Sequence, residues 1–173
     1  MDHLPKKCII LILSFLKTNL LIKCKKVCKI WYNIINNEMD KFIIDLSLNK
    51  NVTDEILKQF INAENIDVTD CPITDRGLIY LNGAKTINLT GCWNITDKGL
   101  SYIKDVKNLN LSDCYNITNV GVSHLTNIEY LDISYCHNIT INSICDIISI
   151  KSIKNCIIIK INKLISFIFS SFF

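Results

Sequence analysis

Three stretches decide how this chain folds: INLTGCWNITDKGL (87–100), LNLSDCYNITNVGV (109–122) and LDISYCHNITINSI (131–144). Laid over one another, they are one unit. An earlier copy reads IDVTDCPITDRGL (66–78), a worn first copy IDLSLNKNVTDEIL (44–57) and a worn last copy KSIKNC (151–156). One register position carries Asn49, Cys71, Cys92, Cys114, Cys136 and Cys156, at spacings of 22, 21, 22, 22 and 20 residues. A period of this length marks a solenoid, in which no unit buries its apolar face alone and stacking builds the core.

The pattern inside each unit has a physical reading. Alternate residues of a strand face opposite sides, so Ile44/Leu46, Ile66/Val68, Ile87/Leu89, Leu109/Leu111 and Leu131/Ile133 are predicted to point inward. The turn after the strand needs a small, weakly polar, buried residue, and Cys fits. Asn49 is expected to bond the backbone at that site. An apolar residue follows, at Ile73, Ile95, Ile117 and Ile139. Thr-Asp or Thr-Asn steps at 74–75, 96–97 and 118–119 predict helix N-caps. The short helices after them bury Leu78/Leu81, Leu100/Ile103 and Val122/Leu125. This unit resembles the cysteine-containing subclass of leucine-rich repeats, over residues 44–156. The resemblance implies an α/β solenoid of about six repeats.

Polar residues alternating with the buried pairs are predicted to line the concave face. Asp45, Asp67, Asn88, Asn110 and Asp132 form its central column, with Tyr130 beside them. That column is partly acidic and suits a basic or hydrogen-bonding partner. A second column follows the register cysteines: Pro72, Trp93, Tyr115 and His137. Its aromatic rings read either as interface anchors or as a stack that stiffens the turns.

The segment before the repeats, LPKKCIILILSFLKTNLLIKCKKVCKIWYNII (4–35), has helical texture. Pro5 suits a first helical turn. Ile9, Ile12, Leu13 and Leu16 recur at helical spacing, and Thr18-Asn19 breaks the pattern. A second helix is expected to carry Leu21, Cys24, Val27 and Cys28 and to run on through Trp31 and Ile34. Its lysines, 23, 25, 26 and 29, fall on the solvated side. By itself this is a helical cap for the first repeat. The residues also resemble an F-box: Leu4-Pro5, Ile12-Leu13-Ser14-Phe15-Leu16, Leu21-Ile22, then Val27-Cys28-Lys29-Ile30-Trp31. Lys7 and Cys8 depart from the family, which often has Glu and Leu there. The resemblance implies docking on the Skp-type linker subunit of an SCF cullin–RING ubiquitin ligase. Leu4, Pro5, Ile9, Ile12, Leu16, Leu21 and Trp31 would carry the docking, some of them also serving the module's own core. The solenoid would hold an unknown target protein for ubiquitination. The alternative is a repeat scaffold with a helical N-terminal cap and no ligase link.

Composition limits other readings. The chain is 49% apolar and 20% charged, which supports a packed core rather than disorder. Residues 1–43 carry a net +5, 44–148 a net −6 and 149–173 a net +4. An acidic central segment argues against nucleic acid as partner. Nine cysteines without a CxxC suggest reduced thiols in cytoplasm or nucleus. Cys24/Cys28 reads as core packing, since a closed zinc site needs four ligands. Lys6-Lys7 before the apolar run 8–16 mimics a secretory leader, but lysines follow where small residues are needed. The Asn-x-Thr triplets at 51, 94, 116 and 138 then read as a repeat feature. No nucleophile–base set, P-loop or dinucleotide fingerprint is present, so no catalytic residue, metal or cofactor is assigned. The expected division is 1–43 helical module, 44–156 repeats, and 157–173 an apolar cap or membrane-surface tail.

Overall fold

The computed structural model describes residues 4–140, 143–144 and the backbone of 152–154. His3, Cys145, Cys156 and the proposed cap 157–173 lie outside the described residues.

Six parallel strands form one sheet in chain order. They are β1 (Ile43–Asp45), β2 (Asn65–Asp67), β3 (Thr86–Asn88), β4 (Asn108–Asn110), β5 (Tyr130–Asp132) and β6 (Ser152–Lys154). Ile44, Ile66, Ile87, Leu109, Leu131 and Ile153 align across all six, so even the worn last copy supplies a strand. Short helices α4 (Asp54–Leu57), α5 (Asp75–Leu78), α6 (Asp97–Leu100) and α7 (Asn119–Ser123) pack behind the sheet. Every inward pair expected from the pattern is buried, as are Ile73, Ile95, Ile117 and Ile139.

Strands β1 to β5 are three residues long because a side chain ends each of them. Asp45, Asn88, Asn110 and Asp132 each accept, through Oδ1, the backbone N–H and hydroxyl of the residue two further on. Asp67 accepts the N–H of Thr69 in the same way. Such Asx turns compete with the ladder for backbone donors. The chain then passes through left-handed backbone at Leu48, Asp70, Gly91, Asp113 and Tyr135. The next residue is the register position, Asn49 after Leu48 and Cys in the other four, and each thiol donates back into the previous repeat. Cys71, Cys92 and Cys114 reach the carbonyls of Leu46, Val68 and Leu89, all at 3.1 Å, and Cys136 reaches Leu111 at 3.0 Å. Burial pushes the Cys92 thiol up to about 12 and drives Cys71 and Cys114 upward as well. Asn49 does bond backbone, accepting from Asn51 N–H at 3.0 Å, but it is exposed. It opens the stack and has no earlier carbonyl row to reach.

Beside this thiol ladder runs a carboxylate staple. Asp54 accepts both N–H and Oγ1 of Thr74, Asp75 those of Thr96, and Asp97 those of Thr118. The residue that approaches each carboxylate is a glycine. A Cβ at Gly77, Gly99 or Gly121 would stand 2.6, 2.4 or 2.4 Å from the Oδ1 of Asp54, Asp75 or Asp97. At the same position the first repeat has Ile56, where no earlier repeat supplies an acid. The fifth has Ser143, whose hydroxyl instead donates to Asn119 Oδ1 at 2.9 Å.

The N-terminal module contains α1 (Lys6–Ser14), α2 (Thr18–Cys24) and α3 (Lys29–Asn37). The expected continuous second helix is corrected here. It ends at Cys24, and Cys28 is an extended N-cap to α3. Like charges at Lys23/Lys26 and Lys25/Lys29 oppose a continued helix. Val27 and Cys28 are consequently exposed rather than packed, whereas Lys25 is half-buried and desolvation lowers its pKa. Ile9, Leu13, Leu21, Ile34, Ile35, Met39 and Phe42 join the repeats in one continuous core. Buried Thr18 ties the two parts together, its Oγ1 accepting the N–H of Asp45 at 2.8 Å. That bond satisfies a donor on the open edge of β1, the exposure that sheet proteins must cover. Glu38 accepts from Lys6 and Lys41, and these contacts hold its carboxyl down to about 2.

Candidate functional site

Two surfaces remain after the core and the turns have taken their residues. The first is on the helical module. Leu4 stands just before α1, at 48% exposure, and Ile12 is 51% exposed on that helix. With Ile9, Leu13 and Trp31 they line an almost wholly apolar groove of about 270 Å³. A second groove, of about 410 Å³, continues from Leu4 and Ile9 past Ile30 and Asn33 to Asn37. Pro5 is exposed at the N-cap, its carbonyl accepting from Cys8 and Ile9. Leu16 and Trp31 are half-buried. Ile9 and Leu21 are buried and belong to the module's core. Fully buried Leu13 is a wall of the first groove, and Leu11, Phe15, Leu20, Ile30 and Tyr32 are further exposed apolar residues of the module that the sequence argument had not assigned to docking. The exposed five fall between the 3–4 spaced core positions, where a solvated helix carries polar residues. Residues 4–37 hold seven lysines and no acid, so the module's surface is apolar and cationic.

The second surface is the open face of the sheet. Asp45, Asp67, Asn88 and Asn110 lie on it in adjacent repeats, each exposed or half-buried, and Asn88 Nδ2 donates to Asp67 Oδ2 at 2.9 Å. Tyr130 is half-buried on the same face. Asp132 departs from the expectation of an open column: it is 6% exposed. Every residue of that column also holds its own turn, so recognition must use the atoms the turns leave. Along the edge, Trp93 is 59% and Tyr115 50% exposed, and His137 is also exposed. The two readings of this column divide by residue. Tyr115 and His137 stack, with centroids 6.4 Å apart and planes 7° from parallel. Tyr115 donates its hydroxyl to Asp113 at 2.8 Å. Trp93 is open. Asn116 and Asn138 donate to the carbonyls of Trp93 and Tyr115, which gives these Asn-x-Thr triplets a structural role.

Among the described residues no group of His, Cys, Asp and Glu is placed to hold a metal, and no helix is long and apolar enough to cross a membrane.

Residues 1–43 match the F-box domain family, and residues 64–81 and 85–104 match the leucine rich repeat family. No curated protein matches the chain. Among solved structures it is similar to internalin C2 of Listeria monocytogenes, at 12% identity and a TM-score of 0.35, over 79% of this chain and 91% of that one.

Proposed function

We propose that this chain, an F-box domain followed by leucine-rich repeats, is a substrate-recognition adaptor of an SCF ubiquitin ligase. Residues 1–43 would dock the Skp-type linker subunit. Residues 44–156 would bind the target, with 157–173 as a terminal cap. The observation that carries this reading is the unpartnered apolar face around Leu4, Ile12 and Trp31. A plain cap needs one apolar side, turned to the first repeat. This module has a second one turned away from its core. Large exposed apolar patches on small domains mark interaction sites, and the absence of acids over 4–37 favours a partner with an acidic rim.

The chain then contributes geometry rather than chemistry. The shared core and the Thr18–Asp45 bond join docking module and solenoid without a linker. A target on the sheet would therefore be held in a defined orientation, which raises its effective concentration at the ubiquitin-charged enzyme. Ligase catalysis is assigned to the partners, and the setting to cytoplasm or nucleus.

The test is binding of the purified chain to a eukaryotic Skp-type linker subunit. Ile12→Asp is the decisive variant, because Ile12 is half-exposed and its replacement leaves the core intact. Leu4→Ala and Trp31→Ala accompany it, with circular dichroism to confirm folding. Binding by wild type and its loss in folded Ile12→Asp is the expected result. Failure of the folded wild type to bind leaves the repeat scaffold with a helical cap.

A further inference from the structure

The distribution of charge on the repeats says what kind of partner the open sheet face can hold. The three glutamates among their described residues are each paired with a lysine: Glu55 with Lys58, Glu64 with Lys85 and Glu129 with Lys107. Asp54, Asp75 and Asp97 staple neighbouring repeats, and Asp105 accepts from Asn127. With buried Asp132 set aside, the carboxylates left are Asp45, Asp67, Asp70 and Asp113. All four lie on the sheet face or at the turn leaving it. Among the described residues two ammoniums are near them: Lys50, which donates to the backbone carbonyl of Asp70, and Lys17, which lines one groove with Asp45. Arg76 and Lys98 belong to α5 and α6, behind the sheet. The described part of the open face therefore carries more carboxylates than ammoniums, although the whole chain is net positive.

Along the same edge stand three exposed aromatics, Trp93, Tyr115 and Tyr135. Tyr115 is held by His137 and Asp113, whereas Trp93 is open to solvent. At Gly91 the missing side chain lets the Asp70 carboxylate lie against the next repeat, since a Cβ would fall 2.1 Å from its Oδ1. Asp70 and Asp113 belong to the repeats before and after that of Trp93, and strands step by about 4.8 Å. We propose that this face recognises an arginine-bearing, basic segment of the target protein, an inference that rests on the solenoid being the target-binding half of the adaptor. Carboxylates and aromatic faces together select a guanidinium, which stacks flat on a ring while its edge bonds a carboxylate. An ammonium has no planar face with which to do both. The same carboxylates repel a phosphate backbone.

The probe is an acetylated, amidated octapeptide of alternating Arg and Ala, set against its Lys and Glu counterparts. Each is titrated into the full chain at about 50 mM NaCl, where screening is modest. Saturable binding is expected for the Arg peptide, about threefold or more tighter than for the Lys peptide, and none for the Glu peptide. Asp67→Asn, Asp113→Asn and Trp93→Ala should each weaken it by about threefold or more. The Asn variants keep the acceptor oxygens used by Thr69 and Tyr115, and circular dichroism checks their fold. Lys98→Gln, behind the sheet, should change nothing. No saturable binding, equal binding of the Glu peptide, or indifference to the face variants overturns the inference. Linker-subunit binding is measured separately. A chain that binds the linker and not the peptide overturns this inference alone, and the converse overturns the ligase reading alone.

Discussion

Gly99→Ala should destabilise the repeats, although alanine is the better helix former. The added Cβ would lie 2.4 Å from Asp75 Oδ1 and 3.0 Å from Leu78 Cδ1. The leucine methyl can swing aside. The carboxylate cannot move without releasing Thr96, whose N–H and Oγ1 it accepts at 2.8 and 2.7 Å. Bonds to a charged acceptor contribute about 1.5–3 kcal/mol each. Losing one, against about 1 kcal/mol of helix propensity recovered, leaves a net cost of about 0.5–2 kcal/mol. For a chain of this size that lowers Tm by roughly 1–8 °C. Gly83 is the control: a Cβ there meets nothing within 4 Å. Gly83→Ala should be neutral or stabilising by about 0.5 kcal/mol through the unfolded chain. Urea and thermal unfolding followed by both circular dichroism and tryptophan fluorescence measure this, the two probes checking that repeats and module unfold together. The mechanism also fixes a coupling. In an Asp75→Ala background, Gly99→Ala should cost nothing further, a coupling of about 1 kcal/mol or more. Equal effects at Gly99 and Gly83, or an undiminished cost without Asp75, would refute the staple.

Other outcomes follow from the same geometry. Iodoacetamide at pH 8 should label exposed Cys8 and Cys28 in the native chain, and reach Cys71, Cys92, Cys114 and Cys136 only after urea unfolding; mass spectrometry of the labelled peptides reads this directly. Alkaline pH should destabilise the fold. The thiols of Cys71, Cys92 and Cys114 have raised pKa values, about 12 for Cys92 against 9.0 when free, because burial favours the neutral form. Their contribution is complete below about pH 9 and is lost as pH rises toward 12, since only the unfolded chain then releases the proton. Urea midpoints that stay level between pH 8 and 10 would count against it. Thr18→Val strands the N–H of Asp45 and should cost about 1–2 kcal/mol. Hydrogen exchange should quicken first at the Asp45 amide, and uniform loss of protection would argue for a packing defect instead.

The repeat was legible because its causes are local. Strand alternation, a small residue at the turn and a Thr cap are each set within a few residues, so Ile66/Val68 or Thr96 could be placed from the text of one unit. The second helix was misplaced for the opposite reason. Trp31 and Ile34 continue the periodicity of Leu21, but whether the chain between them stays helical depends on α3 turning back onto the core. Asp45, Asp67, Asn88 and Asn110 of the central column lie on the sheet face and Asp132 is buried, and the column's second occupation was invisible. Asp45 and Asn110 look like free recognition groups until their Oδ1 atoms are seen holding Ser47 and Ser112. The Asp-x-Gly spacing of Asp75–Gly77 and Asp97–Gly99 was in plain view, but its meaning depends on which residue of the previous repeat comes near.

The amino-acid order alone therefore determined the period, the inward rows, the cysteine register and the division into a helical module and a solenoid, since these depend on spacing along one chain and on the hydrophobic drive to stack. Contacts between residues about twenty positions apart were decided only by the tertiary structure. It turned the cysteines into donors for the preceding repeat, made glycine obligatory beside Asp75, joined Thr18 to the first strand and buried Asp132. Each is a matter of ångström-scale approach between neighbouring turns of the solenoid, which a one-dimensional pattern specifies only through the distance that folding imposes.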